Sequence, residues 1–280
     1  MFLNDSLATI KSQILKYSYY TSGHNKILKP TNEIINKQFC QWMNKLVNQD
    51  YTLRMYTLNY DRAFKILLQT SGLEVFEGFN LNGTAVDYNQ SIPPNLPRII
   101  SDFGSHIHYN LHGSAYWNLK ILNSNGLSGY EFHLVPSGEI DAPAGTITFE
   151  KGKRLLLSSI ITGYQKVQRT ATSPFRQMFS AFDRDCFEVG RLYIVGYSFG
   201  DEHINDIVRN ARKYNNKLEI VLIDPNFDEN KFYTEFILHW GTPTMPPYQD
   251  AGPKEIVSNE FNVRIIKEKF GDFLQERSFD

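Results

Sequence analysis

Residues 191–225 read RLYIVGYSFGDEHINDIVRNARKYNNKLEIVLIDP. Arg191–Val195 is a short apolar run closed by Gly196, which predicts a strand ending in a tight turn. Asp201–Tyr214 then predicts a helix, acidic in its first turn and carrying Arg209, Arg212 and Lys213 toward its end, as the helix dipole favours. Leu218–Ile223 predicts a second strand, stopped by Asp224-Pro225. Strand, glycine turn, helix and strand in that order make a unit of a parallel sheet. Ligands of such sheets bind at the turns that follow strand C-termini.

The same grammar extends toward the N-terminus. Thr52–Leu58 predicts a strand, Asn59-Tyr60-Asp61 a polar turn, and Ala63, Phe64, Ile66, Leu67 and Leu68 resume helical spacing. SIPPNLP at 91–97 predicts a loop, because its prolines remove donors and restrict their neighbours. That loop leads to a strand at Ile107–Leu111 and a second polar turn, His112-Gly113-Ser114. Helices are predicted over 4–20 and 32–48, and again over Pro174–Cys186, where Phe175, Met178, Phe179 and Phe182 fall on one face. Asn123–Thr148, rich in Gly, Ser, Asn and Pro around a short strand at Tyr130–Val135, predicts a mobile insertion over a binding face. Beyond Asp224 the pattern predicts a short helix over Phe232–Trp240, a proline-rich loop over Thr242–Pro253 and a last strand near Phe261–Ile266. The expected class is α/β: a mostly parallel sheet with helices on both faces, in one domain with loop insertions. The strands ending at Leu58, Leu111, Val195 and Ile223 are expected in one sheet, with Asn59, His112, Ser198 and Asp224 along one edge.

Composition excludes several functions. The 280 residues carry 29 Lys+Arg against 30 Asp+Glu, a net charge of −1, so no whole-molecule field draws the chain to nucleic acid or anionic lipid. Asp5, Lys11 and Lys16 interrupt Met1–Tyr20, and no apolar run reaches membrane-spanning length, which predicts a cytoplasmic protein with no membrane partner. Cys40 and Cys186 stand alone, outside any CxxC pair, predicting buried thiols rather than a disulfide or zinc. The histidines show no HExxH spacing; His106, His108 and His112 share a strand face, but nothing completes a metal set, so no metal is expected.

Three strand-end turns concentrate polar groups: TLNYD (Thr57–Asp61), LHGS (Leu111–Ser114) and GYSFGDEHIN (Gly196–Asn205). Together they suggest one cleft. Each has a plainer reading. Asn59 and Asp61 are suited to a turn and a helix cap, and His112 to a satisfied histidine before a Gly-Ser turn. Gly196, Ser198, Gly200 and Asp224 suit tight turns, a cap and a strand-end carboxylate, while Asp201 and His203 suit capping and side-chain networks.

TLNYD resembles the TxNxD element of sirtuins, LHGS resembles their catalytic HG element, and GYSFGDEHIN with the following LIDP is similar to the C-terminal half of sirtuin-like domains. The resemblance runs from about Thr52 to Asp224 and is closest to bacterial sirtuin-like defence proteins. It implies a Rossmann-like fold, with an N-terminal helical segment over 1–50, an NAD-binding domain over 51–270 and a tail over 271–280. It further implies cleavage of the nicotinamide–ribose bond of NAD. His112 would then be the general base, a role that suits an imidazole. Asn59 would hold a ribose hydroxyl or the attacking water, and Asp61 would meet the nicotinamide carboxamide. Gly113, Ser114, Gly196, Ser198, Gly200, Asp201 and His203 would lie against the dinucleotide, with Asp224 on the adenosine ribose.

Two family features are absent from this sequence. No glycine-rich GAGxS-like turn precedes Thr57, which removes backbone donors from the diphosphate site. The four-cysteine zinc module of protein-deacylating sirtuins is also missing, since the chain has 2 cysteines. The resemblance therefore implies an NAD glycohydrolase effector of antiviral defence, activated by homo-oligomerisation or by a sensor or regulatory partner. A catalytically impaired module binding an NAD-derived ligand or a protein is the alternative, and a protein deacylase comes third.

Overall fold

The computed structural model describes residues 2–15, 18–21, 24–27, 33–80, 90–124, 127–136, 145–149, 153–162, 170–227, 249–259 and 261–276. The chain divides into two compact units, Met1–Ala181 and Phe182–Asp280. The helix expected over Phe232–Trp240 and the first part of the Thr242–Pro253 loop lie outside the described residues, as do parts of the Asn123–Thr148 insertion.

The first unit opens with α1 (Phe2–Leu15), β1 (Ser18–Thr21), β2 (His24–Ile27) and α2 (Glu33–Asn48). The helix expected over 4–20 thus stops at Leu15, and β1 pairs antiparallel with β2. α1 buries Leu7 and also Lys11, whose ammonium donates to the Trp117 carbonyl at 3.1 Å. α2 buries Phe39, Trp42 and Met43, three of the positions whose helical spacing predicted it.

β3 (Arg54–Thr57) is followed by α3 (Ala63–Thr70) and α4 (Leu96–Ser101), then by β4 (Ile107–Asn110). α4 was hidden in SIPPNLP: Asn95 Oδ1 accepts from Arg98 N at 3.1 Å, and Pro97 stands in the first turn, where its missing N–H costs nothing. β3 and β4 pair in parallel. Two antiparallel hairpins follow, β5 (Trp117–Ser124) with β6 (Leu127–Leu134) and β7 (Gly145–Phe149) with β8 (Lys153–Leu157). α5 (Phe175–Glu188) brings Phe175 to 5.3 Å from both Trp117 and Phe132, ring to ring, in an aromatic core.

The second unit holds β9 (Arg191–Val195), α6 (Glu202–Tyr214), β10 (Glu219–Ile223), β11 (Gln249–Gly252), β12 (Glu255–Ser258), β13 (Val263–Ile266) and α7 (Phe270–Glu276). Its sheet runs β11-β12-β13-β10-β9; β10 is parallel to β9 and β13, while β11 and β12 pair antiparallel. Ile220, Leu222 and Ile265 on the sheet and Ile204, Val208 and Ala211 on α6 are buried, so the helix expected from its charge pattern also carries an apolar stripe.

The α/β class holds, but the single mostly parallel sheet does not. Among the described strands, β3–β4 form one parallel ladder and β9–β10–β13 another, and the remaining pairings are antiparallel. Loop length accounts for the antiparallel pairings. Ser124 and Leu127 leave two residues between β5 and β6, and a parallel crossover needs a dozen or more. β11 occupies 249–252 of the expected loop for the same reason, turning straight back into β12.

Candidate functional site

Thr57 and Asn110 face each other at the ends of β3 and β4, so the turns they feed leave one end of the ladder side by side. Leu111 N bonds to Thr57 O at 2.9 Å and continues the pairing by one step. From there the Asn59–Asp61 turn is held by its carbonyls. Asn110 Nδ2 donates to Asn59 O and to Asp61 O, each at 2.9 Å. Tyr60 O accepts from Ser114 Oγ and from Ala115 N, again at 2.9 Å each. Three consecutive carbonyls of the first turn are therefore satisfied by the second.

A third segment closes this frame. Ser114 N donates to Ser159 O at 2.9 Å, Ile161 N donates to His112 O at 2.9 Å, and Tyr60 Oη donates to Ile161 O at 3.1 Å. Gly113 sits where it must be glycine. Its φ is +84°, and a Cβ there would lie 2.1 Å from Ser159 O and 3.0 Å from Phe175 Cε1.

The side chains are placed as follows. Asn59 is exposed, and among the described residues its side-chain amide has no hydrogen-bond partner; its backbone N donates to Thr57 Oγ1 at 3.0 Å. Asp61 Oδ1 accepts from Ala63 N at 2.8 Å, so one carboxylate oxygen serves the turn into α3, as the plainer reading of the sequence held. His112 is buried, with 3 % of its surface exposed. Ser114 is fully buried, and its hydroxyl also accepts from Tyr116 N at 3.2 Å.

Behind the turn lies a buried ionic cluster. Arg62 follows Asp61 and grips Glu77 with two donors, Nε to Oε2 at 2.8 Å and Nη2 to Oε1 at 2.5 Å; Lys65 Nζ is 3.5 Å from Oε1. Burial alone would push the Glu77 carboxyl up, but the two cations override it and hold it down at about 2. Burial, aided by Arg62 and Lys65, lowers the imidazole of His108 to about 4, against the pull of Glu77. His106 is structural, its Nδ1 accepting from Leu53 N at 3.0 Å.

In the second unit Val195 pairs with Ile223 and Gly196 N donates to Ile223 O at 3.0 Å, which sets the Gly196–Asp201 turn beside Asp224. Gly196 (φ +59°) and Phe199 (φ +56°) both adopt the left-handed region. Tyr197 and Asn205 stabilise this bend. Tyr197 Oη accepts from Asp201 N at 3.2 Å and donates to Asn205 Oδ1 at 2.8 Å, while Asn205 Nδ2 donates to Phe199 O at 3.0 Å. Ser198 and Gly200 are exposed on the turn; Asp201 begins α6 without a side-chain cap bond, and His203 is half-buried in its first turn. Asp224 Oδ1 accepts from Asn226 N at 2.8 Å, a local Asx turn.

The structure thus gathers Asn59, Asp61, His112, Gly113 and Ser114 in the first unit, and Gly196, Ser198, Gly200, Asp201, His203 and Asp224 in the second. Asn110, Tyr60, Arg62, Glu77, Tyr197 and Asn205 were not singled out from the sequence. Asn110 had a signal: it lies within the expected strand Ile107–Leu111, two residues before His112. Among the described residues no cluster of His, Cys, Asp and Glu is arranged to hold a metal, and no helix is long and apolar enough to cross a membrane.

Comparison with known proteins gives one family. The model of the SIR2-like domain matches residues 54–241, which spans both groups of turns. No curated protein matches the chain.

Proposed function

This chain belongs to the SIR2-like domain family, whose members act on NAD, and on that premise we propose that it hydrolyses NAD at the nicotinamide–ribose bond. The observation that carries the reading is the frame that fixes an asparagine–aspartate turn against a histidine–glycine turn through Asn110 and Ser114. In the proposed reaction the C1′–N1 bond breaks and its electron pair neutralises the nicotinamide ring nitrogen. Water oxygen bonds to C1′, and the proton it loses passes to His112. Positive charge develops on the ribose as the bond breaks, and a fixed polar surround stabilises it. Asn59, with its amide exposed, holds a ribose hydroxyl or the water. Asp61 keeps Oδ2 for the carboxamide while Oδ1 accepts from Ala63 N in the turn leading into α3. Gly113 and Ser114 hold the backbone on which His112 sits.

For the second unit we propose nucleotide contacts: Ser198 and the first-turn N–H groups of α6 toward phosphate, helped by the close approach that Gly196 and Gly200 permit, with Asp201 and His203 beside them. Asp224 would accept from ribose hydroxyls through Oδ2. Hydrolysis is favoured over deacylation because 2 cysteines cannot build a four-cysteine zinc module. The burial of His112 fits an enzyme that is silent until a partner or self-assembly opens the site, as an NAD-depleting effector of antiviral defence must be. The same burial, with no GAGxS-like turn before Thr57, supports a second reading: a module that binds an NAD-derived ligand without cleaving it. Incubation with NAD while nicotinamide release and NAD binding are both followed separates the two, since binding without release at every concentration sinks the enzyme.

A further inference from the structure

Asn110 occupies a position that no other group duplicates. It is buried, it ends β4 on the face shared with His108, two residues before His112, and its one amide nitrogen bonds two carbonyls of the opposite turn, Asn59 O and Asp61 O. Among the described residues those two oxygens accept from Asn110 alone. Tyr60 O between them is held twice, by Ser114 Oγ and by Ala115 N. The central carbonyl of the turn is therefore held redundantly and the two outer carbonyls singly, and the outer residues, Asn59 and Asp61, carry the side chains proposed to act.

We propose that Asn110 is the positioning residue that fixes the Asn59–Asp61 turn relative to His112, and so sets the turnover of the hydrolysis proposed above. The inference rests on that reading for its effect on rate, and on the two hydrogen bonds for its effect on the turn. Asn110 touches no substrate. It acts by keeping the Asn59 amide and the Asp61 carboxylate at a set distance from the imidazole, and a displacement of about 1 Å in such a frame costs on the order of a hundredfold in rate. Asn110→Asp is close to isosteric and its carboxylate has no N–H to give, so both bonds are lost and a buried anion faces two carbonyls. Asn95→Asp removes a part-buried amide donor of the same kind, Asn95 Nδ2 to Asn80 Oδ1 at 2.7 Å, from outside both turns and serves as the matched control.

The test uses the full chain and three readouts: nicotinamide release against NAD concentration, thermal melting, and amide exchange at Asn59 and Ala63, whose N–H groups bond within the turn. Asn110→Asp should melt as a folded protein, with kcat lowered at least about tenfold, KM near that of the parent, and faster exchange at both amides. Asn95→Asp should stay within about threefold of the parent in kcat. If Asn110→Asp does not fold, Asn110→Ser is read in the same way. Parental kcat in the folded variant, or a fall in kcat that only tracks the folded fraction, overturns the proposal. If the parent releases no nicotinamide under any condition, the hydrolase reading fails by itself and the exchange data still decide: faster exchange at Asn59 and Ala63 supports the clamp, and unchanged protection overturns it.

Discussion

Glu77→Gln is the sharpest test of what supports the Asn59–Asp61 turn from behind. The carboxylate of Glu77 is buried between Arg62 and Lys65, and the three side chains expose 3–5 % of their surface. The substitution keeps the shape but leaves two buried cations with no counter-charge, and an amide N–H₂ among donors. Breaking a buried pair from one side costs about 3–5 kcal/mol, against about 0–1 kcal/mol for an exposed pair. Lys65 limits the loss, because burial already holds its ammonium below the ordinary lysine range and it can shed its proton. The sign follows: without Glu77 the folded state disfavours protonated Lys65 still more, the unfolded chain binds the extra proton, and the deficit shrinks as pH rises. Urea unfolding followed by the fluorescence of Trp42 and Trp117, both buried, reads the loss directly. In a melt it corresponds to roughly 10 °C. Adding Lys65→Met should restore part of it by removing one buried cation. A loss under about 1 kcal/mol, or one that grows with pH, refutes the reasoning.

Three further outcomes are expected. His108 has its folded value lowered from 6.5 to about 4, so its contribution is intact above 6.5 and is lost on acidification toward 4; between pH 7 and 5 stability should fall by about 2 kcal/mol, and His108→Leu should flatten that slope. Gly113→Ala should cost about 2–5 kcal/mol, from left-handed strain plus the Cβ set 2.1 Å from Ser159 O, whereas Gly72→Ala, at φ +86° with nothing within 4 Å, should cost only about 1–2 kcal/mol; equal losses in urea titrations would mean the contact is relieved by a small shift. Asn59→Ala should leave stability within about 0.5 kcal/mol because the side chain is exposed, yet lower nicotinamide release by about 10²–10⁴-fold, and His112→Ala should lower it comparably; parental release in either variant removes that residue from the chemistry.

Much of the fold could be read from local pattern. Arg191–Val195 and Glu219–Ile223 are apolar runs stopped by Gly196 and Asp224, and both form strands there. α2 and α5 announced themselves by helical spacing, since a buried stripe leaves that signature, and α6 by acidic residues in its first turn and basic ones near its end. What the pattern does not carry is partnership between distant residues. Parallel pairing of β3 with β4 could be inferred from order, but the division of the parallel strands between two sheets depends on which edges meet. Lys11 looks like a surface cation within α1, yet it is buried and its ammonium donates to the distant Trp117 carbonyl. For the site, the motif residues of each turn were legible by resemblance. The clamp was less so, because Asn110 acts across 51 residues of sequence on Asn59 and 49 on Asp61. Arg62 and Glu77 hid for the same reason: two opposite charges 15 residues apart carry no sign that they meet under the turn.

The paired turns of Asn59–Asp61 and His112–Ser114 are proposed to cleave NAD. The most direct test is the release of nicotinamide from NAD by the purified full chain, over a range of protein concentrations and with candidate partners, beside His112→Ala. One nicotinamide is expected for each ADP-ribose formed, appearing or rising on assembly and lost in the variant. NAD bound by the parent with no nicotinamide released under any of these conditions, or equal release by parent and variant, would contradict it.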